Sequence, residues 1–335
     1  LNGSDKVISE MEKLASNFNP IYFDAEEWVK FAKECGMKAM AFSEHGSVFE
    51  WWHKKCAIEK AGMKYIHAAE VYLTETLDEK IRDNYHCVLI ARNYEGFKEL
   101  NKLVSNSFNR KDNHFYYVPR ISFEELFNTS NNIIFTTACI GGVLHKAELG
   151  TKTKFLNFMS QNKERCFFEV GHHIDEKQVK YNQYLKKLSD EYGIPLIAGT
   201  DTHVLNEVHE KGRSILQRSK NIYFEGEDKW DLKFHSFKEI VEAYRTQGSL
   251  TKEDYMKAIE NTNLLADMVE EFTLDTHTKY PHIYDNPVDT FKKKVMEAKE
   301  RNPYIKERYS EEQINKVIEE EFEVYEKTQS IDFML

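Results

Sequence analysis

A chain of 335 residues with 41% hydrophobic and 13% aromatic residues can bury a sizeable core, which excludes global disorder and suits two domains or one α/β barrel with an appendage. A formal net charge of -10 argues against a surface dedicated to wrapping nucleic acid, although cations held in an acidic pocket can still attract phosphate. Five cysteines without a C-x-x-C pair exclude a disulfide framework, and no apolar run reaches the length of a membrane span, so a cytoplasmic protein without a membrane partner is expected.

In chain order, apolar positions at helical spacing predict a helix over Ser4–Ser16, and a second runs from Asp24 to Cys35, stopping before Gly36. Strands are predicted at Ala39–Phe42, Tyr65–Leu73, His86–Ala91, Ile133–Thr137, Cys166–Val170 and Pro195–Gly199, with helices such as Glu50–Ala61 and Lys177–Tyr192 between them. The polar connection from Leu73 to His86 is too short for a helical crossover, so its two strands should pair antiparallel. Beyond Lys220 a Gly-containing acidic loop (Tyr223 to Asp231) precedes helices at Ser236–Thr246 and Lys252–Glu271. From Asn286 no strand pattern appears, and Ser310–Lys327 reads as a charged helix.

Five short patches place metal-type ligands beside apolar strands: Glu44-His45, Glu70, His86, Cys139 in the turn Thr137 to Gly142, and Asp201-Thr202-His203. Asp201 and His203, two apart on an extended segment, would face one side and could share an ion, and strand ends of a barrel converge on one rim. The mixture of His, carboxylate and Cys favours a borderline divalent transition metal over Ca. Against this stand ordinary readings. A lone interior His is usually structural, and a buried Cys is usually a small hydrophobe. His172 and His173 read as polar rim residues, Trp51, Trp52 and Trp230 as core or interface aromatics, and Lys211, Arg213, Arg218 and Lys220 as a solvated helix face.

The stretch from Lys38 to Val104, with KAMAFSEHGSVFEWWHKKCAIEKAGMKYIHAAEVYLTE and DNYHCVLIARNYEGFKELNKLV, resembles the PHP phosphoesterase domain of bacterial and phage DNA polymerase III alpha subunits. The segments TTACIGG, FFEVGHH and YGIPLIAGTDTHVLN follow in the family's order. The tail pieces LKFHSFKEIVEAY, AIENTNLLADMVEEFTLD, YPHIYDNP and EEEFEVYEKTQSIDFML are similar to it too. The resemblance implies a distorted (β/α)7-type PHP barrel with a helical C-terminal extension: a metal-dependent phosphoesterase domain over residues 1–225, its helical completion over 226–285, and a helical arm leading toward a polymerase palm over 286–335. It places His45, Glu70, His86, Cys139, Asp201 and His203 on ligand positions, and Asn2 where relatives carry a ligating Asp. Glu70 and Asp201 are the expected catalytic pair.

Implied cofactors are divalent ions, Zn or Mn, with Fe or Mg as further candidates, up to three in a complete domain. The implied activity is metal-dependent phosphodiester hydrolysis in 3'-5' proofreading during DNA replication. Single-stranded 3' ends of DNA and the remaining polymerase domains are the implied partners. The family's opening H-x-H strand is not seen before Leu1-Asn2-Gly3, nor are the palm's paired aspartates seen after Leu335, so fewer ions, weak hydrolysis and no polymerase activity are expected of residues 1–335. Two rivals stay open: a catalytically inactive scaffold of the polymerase, and a free-standing phosphatase.

Overall fold

In a computed structural model of the chain, residues 25–223, 230–277 and 282–335 are described. The helix expected over Ser4–Ser16 and the candidate ligand Asn2 lie outside the described residues, as does most of the acidic loop after Tyr223. The chain divides into two compact units at Phe272 and Thr273.

Among the described residues the first unit is built on eight strands: β1 (Ala39–Phe42), β2 (Lys64–Thr74), β3 (Tyr85–Ala91), β4 (Phe115–Tyr116), β5 (Val118–Ser122), β6 (Ile133–Thr136), β7 (Cys166–Gly171) and β8 (Leu196–Gly199). They form one sheet in the order β4-β5-β2-β3-β6-β7-β8, with β1 also on β2. The β1–β2, β2–β5, β6–β7 and β7–β8 pairs are parallel. Strand β3 is antiparallel to both β2 and β6, as the short polar connection predicts. This curled sheet with helices on its outside is the distorted α/β barrel expected. Six strands were legible because each is a short apolar run. The β4 and β5 pair was not, because Tyr117 and Pro119 interrupt the apolar pattern; Tyr117 adopts φ 64° at the hairpin.

Strands buried on both faces make the core. On one face Ala69, Val71, Leu73, Cys87, Leu89, Ile133, Phe135, Cys166, Phe168 and Val170 pack against the helices Tyr94–Ser107, Leu149–Gln161 and Glu176–Tyr192. The alternate residues Ile66, Ala68, Ile90, Ile134, Phe167 and Ile197 meet Leu265 and Val269 at the end of the helix Lys252–Met268. A third cluster fixes the helices Ala25–Glu34 and Trp51–Lys60 to β1 and β2 through Trp28, Val29, Ile58 and Tyr65. Helix ends are specified locally: Asn93 and Asp175 accept backbone N–H groups at N-termini, and Gly193 ends a helix at φ 67°.

The second unit is helical among its described residues, with Pro287–Arg301, Pro303–Arg308, Glu311–Lys327 and Ile331–Met334. Phe291 packs on Phe322 and Tyr325, and the buried Lys299 ammonium donates to Glu311 and to Asn315 Oδ1.

Candidate metal centre

The parallel strands β1, β2, β6 and β8 point their C-terminal ends to one rim, and antiparallel β3 reaches the same rim with its first residues. Backbone pairing carries His45 onto Glu70, where the Gly46 N–H donates to the Glu70 carbonyl at 2.7 Å and the Glu70 N–H to the Glu44 carbonyl at 3.1 Å. Register opposes Tyr72 to His86, and the His86 N–H donates to the Gly141 carbonyl at 3.1 Å, which draws in the turn that carries Cys139. The buried Lys54 ammonium braces the His45 loop by pairing with Glu44 and donating to the Phe49 carbonyl at 2.6 Å.

The six described candidates gather on this rim. Glu70 Oε1 lies 3.0 Å from His45 Nδ1 and 3.0 Å from His86 Nδ1, yet neither contact is aligned as a hydrogen bond. Cys139 Sγ lies 3.6 Å from His86 Nδ1, and Glu70, His86 and Cys139 each offer a donor atom within 4.8 Å of the other two. His45 Nε2 sits 3.2 Å from His203 Nε2, and His203 Nδ1 lies 3.7 Å from Asp201 Oδ1. Asp201 and His203 do not share an extended segment as expected. β8 ends at Gly199, Asp201 turns at φ 46°, and its carbonyl approaches His203 Nδ1 at 2.7 Å. The pair stays close through this left-handed turn rather than through strand alternation.

Electrostatics follow from crowding. Burial opposes ionisation of Glu70, but the two imidazoles outweigh it and hold its pKa down to about 2. The interaction with Glu70 raises His45 against the opposing effect of burial. Burial, then the charges of Asp201 and Glu70, push the Cys139 thiol well up, while the Gly141 N–H donates to its sulfur at 3.3 Å and favours thiolate. These donors fit a borderline divalent ion: a buried carboxylate oxygen between two imidazole nitrogens, and a thiol whose deprotonation a cation would drive.

Two residues of this rim escaped the sequence reading. Tyr72 places its hydroxyl 3.0 Å from His45 Nδ1. Glu169 on β7 lies under Gly199, where an added Cβ would stand 2.1 Å from Glu169 Oε1; it accepts from the Thr136 hydroxyl. Burial, opposed by that hydrogen bond and reinforced by Asp201 and Glu70, raises its pKa to about 7. An acidic residue inside an apolar strand was the available signal. The rim assignment of His172 and His173 is corrected: both are buried, His172 with its ring against that of His235. Trp52 is 44% exposed, whereas Trp51 packs on Phe97 and His67. The helix Glu207–Ser219, which carries Lys211, Arg213 and Arg218, buries no residue.

Residues 23–169 match the family model of the PHP domain. The chain is similar to the DNA polymerase III subunit alpha of Borreliella burgdorferi, 30% identical over 254 residues that make up 72% of the chain and 22% of that protein. It is also similar to the DNA polymerase III subunit alpha of Aquifex aeolicus, 32% identical over 222 residues, 59% of the chain and 18% of that protein. The PolC-type DNA polymerase III of Thermotoga maritima is 25% identical over 263 residues, 73% of the chain and 19% of that protein. The chain thus spans about a fifth of the length of these relatives. The PHP-domain match over residues 23–169 thus lies within a longer stretch homologous to bacterial DNA polymerase III alpha subunits.

Proposed function

We propose that this rim binds divalent ions of the Zn or Mn class and hydrolyses phosphodiesters at the 3' ends of single-stranded DNA, as the PHP domain of a replicative polymerase. The observation that carries the reading is Glu70 Oε1: a buried carboxylate oxygen 3.0 Å from two imidazole nitrogens, one on the loop after β1 and one on β3. When bound, such ions supply Lewis-acid polarisation of a phosphoryl oxygen and lower the pKa of water.

The chain's own groups do the rest. Glu70 stays ionised and would hold ions beside His45 and His86, with Cys139 as the soft ligand. Asp201 and His203, on the turn after β8, would complete the set and orient the attacking water, with Asp201 as the acceptor of its proton. The Tyr72 hydroxyl beside His45 fixes that ring's direction. Glu169, with its raised pKa, can stay protonated near neutrality, which limits the negative charge that incoming phosphate must meet.

The test joins metal analysis with an end-labelled single-stranded DNA assay. Slow nucleotide release dependent on Mn2+ or Zn2+, abolished by Asp201→Asn, is expected. Metal binding without degradation under any divalent ion would replace hydrolysis by a bracing role in the polymerase.

A further inference from the structure

A second group of ligand-type side chains lies next to the proposed hydrolytic rim and is unused by it. His172, at the end of β7, is 1% exposed, and neither of its ring nitrogens has a hydrogen-bond partner. The Gly199 carbonyl lies near enough to favour its protonated form but is not aligned for a bond. Burying a polar group without a partner is costly, so a folded chain that retains one calls for a compensating ligand.

That histidine faces Asp231 and His235. Asp231 Oδ2 and His235 Nε2 are 2.9 Å apart, and the His172 and His235 rings stand at 89° with centroids 5.0 Å apart. Each of the three residues offers one donor atom within 4.8 Å of the other two. Ligands about one ion at bonds of roughly 2.0–2.2 Å span such distances. The segment that carries both is held against the turn after β8, and within it the Lys233 N–H donates to Asp231 Oδ1 at 3.4 Å. The His203 and Val204 N–H groups donate to the Leu232 carbonyl at 2.9 and 3.1 Å, and the Phe234 N–H donates to the Val204 carbonyl at 2.9 Å.

We infer that His172, Asp231 and His235 form a second binding site for a divalent transition metal of the Zn class, separate from the hydrolytic centre. Two imidazoles and one carboxylate are the donors such ions favour. His235 also lines an open cleft with Thr200, Lys38 and Glu253, which gives an ion a path from solvent. An ion here would tie the end of β7 to the segment that pairs with His203 and Val204, and so brace the turn that carries Asp201 and His203.

The experiment is Zn2+ binding by the full chain, counted by elemental analysis after dialysis and by calorimetric titration. His235→Ala should remove one equivalent from the unmodified protein. In a protein whose rim is disabled by Glu70→Gln and His86→Ala, one equivalent should remain and should vanish when His235→Ala is added. Asp231→Asn should weaken that equivalent at least tenfold. Both substituted residues lie near the surface, and circular dichroism of the metal-free proteins should be unchanged. If His235→Ala and Asp231→Asn leave the count and affinity of a folded protein unaltered, the site does not exist. The equivalents lost on Glu70→Gln with His86→Ala report on the hydrolytic rim alone, so the two readings fail separately.

Discussion

His67 shows how one buried side chain can set a pH dependence. It is 1% exposed on β2, with the Tyr65 hydroxyl 2.7 Å from Nδ1 and Asn101 Oδ1 3.1 Å from Nε2. With the hydroxyl donating to Nδ1 and Nε2–H donating to the amide, the neutral ring is fully satisfied. Burial lowers its pKa to about 4, against the opposing effect of Asn101. Between that value and the ordinary range near 6.5, the unfolded chain takes up a proton that the folded chain refuses. Stability is therefore full above about 6.5 and falls as pH drops toward 4, by up to about 3 kcal/mol for a shift of this size. His67→Gln keeps polar partners without titrating, so urea midpoints measured from pH 7 to 4 should fall less steeply in the variant. Equal slopes in both proteins would rule out His67 as the source. Arg165 makes the complementary point. Its fully buried guanidinium donates to Asn162 Oδ1, Thr129 Oγ1 and the Ile133 carbonyl, between the Phe135 and Phe158 rings. Arg165→Ala strands these acceptors and leaves a cavity, and should cost about 3 kcal/mol or more in urea unfolding.

At the scale of the element, the turn from Thr137 to Gly142 decides where Cys139 and His86 meet. A Cβ on Gly142 would stand 2.2 Å from the Thr137 carbonyl oxygen, 3.1 Å from that of Cys139 and 3.3 Å from that of His86, all backbone atoms that cannot yield. One on Gly141 would meet the His86 ring at 2.6 Å, a side chain that can swing away. The two substitutions should therefore separate. Gly142→Ala should lower stability by about 2 kcal/mol or more, whereas Gly141→Ala should leave unfolding nearly unchanged and weaken metal binding about 10- to 100-fold. Thermal melts and metal titrations on the same samples check this; identical effects from both would show that the turn is not positioned as described. These glycines stand in TTACIGG, one of the motifs that carried the family resemblance. Its place on a turn was legible, since an apolar run ends there, but the carbonyl contacts that demand glycine come from partners at residues 86 and 137 and have no local signal. The same holds for Asp201, whose spacing to His203 was read as extended when the strand had already ended at Gly199.

Across the whole molecule, the sequence pointed to the six rim candidates through their places beside apolar strands and through the family resemblance, and it concealed what tertiary packing alone creates. Glu169 becomes part of the rim only because Gly199 leaves room for it, and His172 is buried only because the segment around His235 covers it. All these residues lie in the first compact unit, which closes at Phe272, where that ring packs on Tyr94 and Phe97 and its carbonyl lies 3.3 Å from the Lys55 ammonium. The second unit has its own apolar contacts, through Phe291, Phe322 and Tyr325 and the buried Ile314 and Ile331. Among the described residues, every strand, the three core clusters and each proposed ligand are therefore present in a chain ending at Thr276. Such a chain should fold cooperatively, bind as many equivalents of Zn2+ or Mn2+ as the full chain, and keep whatever metal-dependent nuclease rate the full chain shows to within a few-fold. Urea unfolding followed by far-ultraviolet circular dichroism, with elemental analysis of the dialysed protein, gives the comparison. If the shortened chain is unfolded, or folds with fewer bound ions, the helical unit contributes to the metal centre, and the assignment of the whole site to the first unit is wrong.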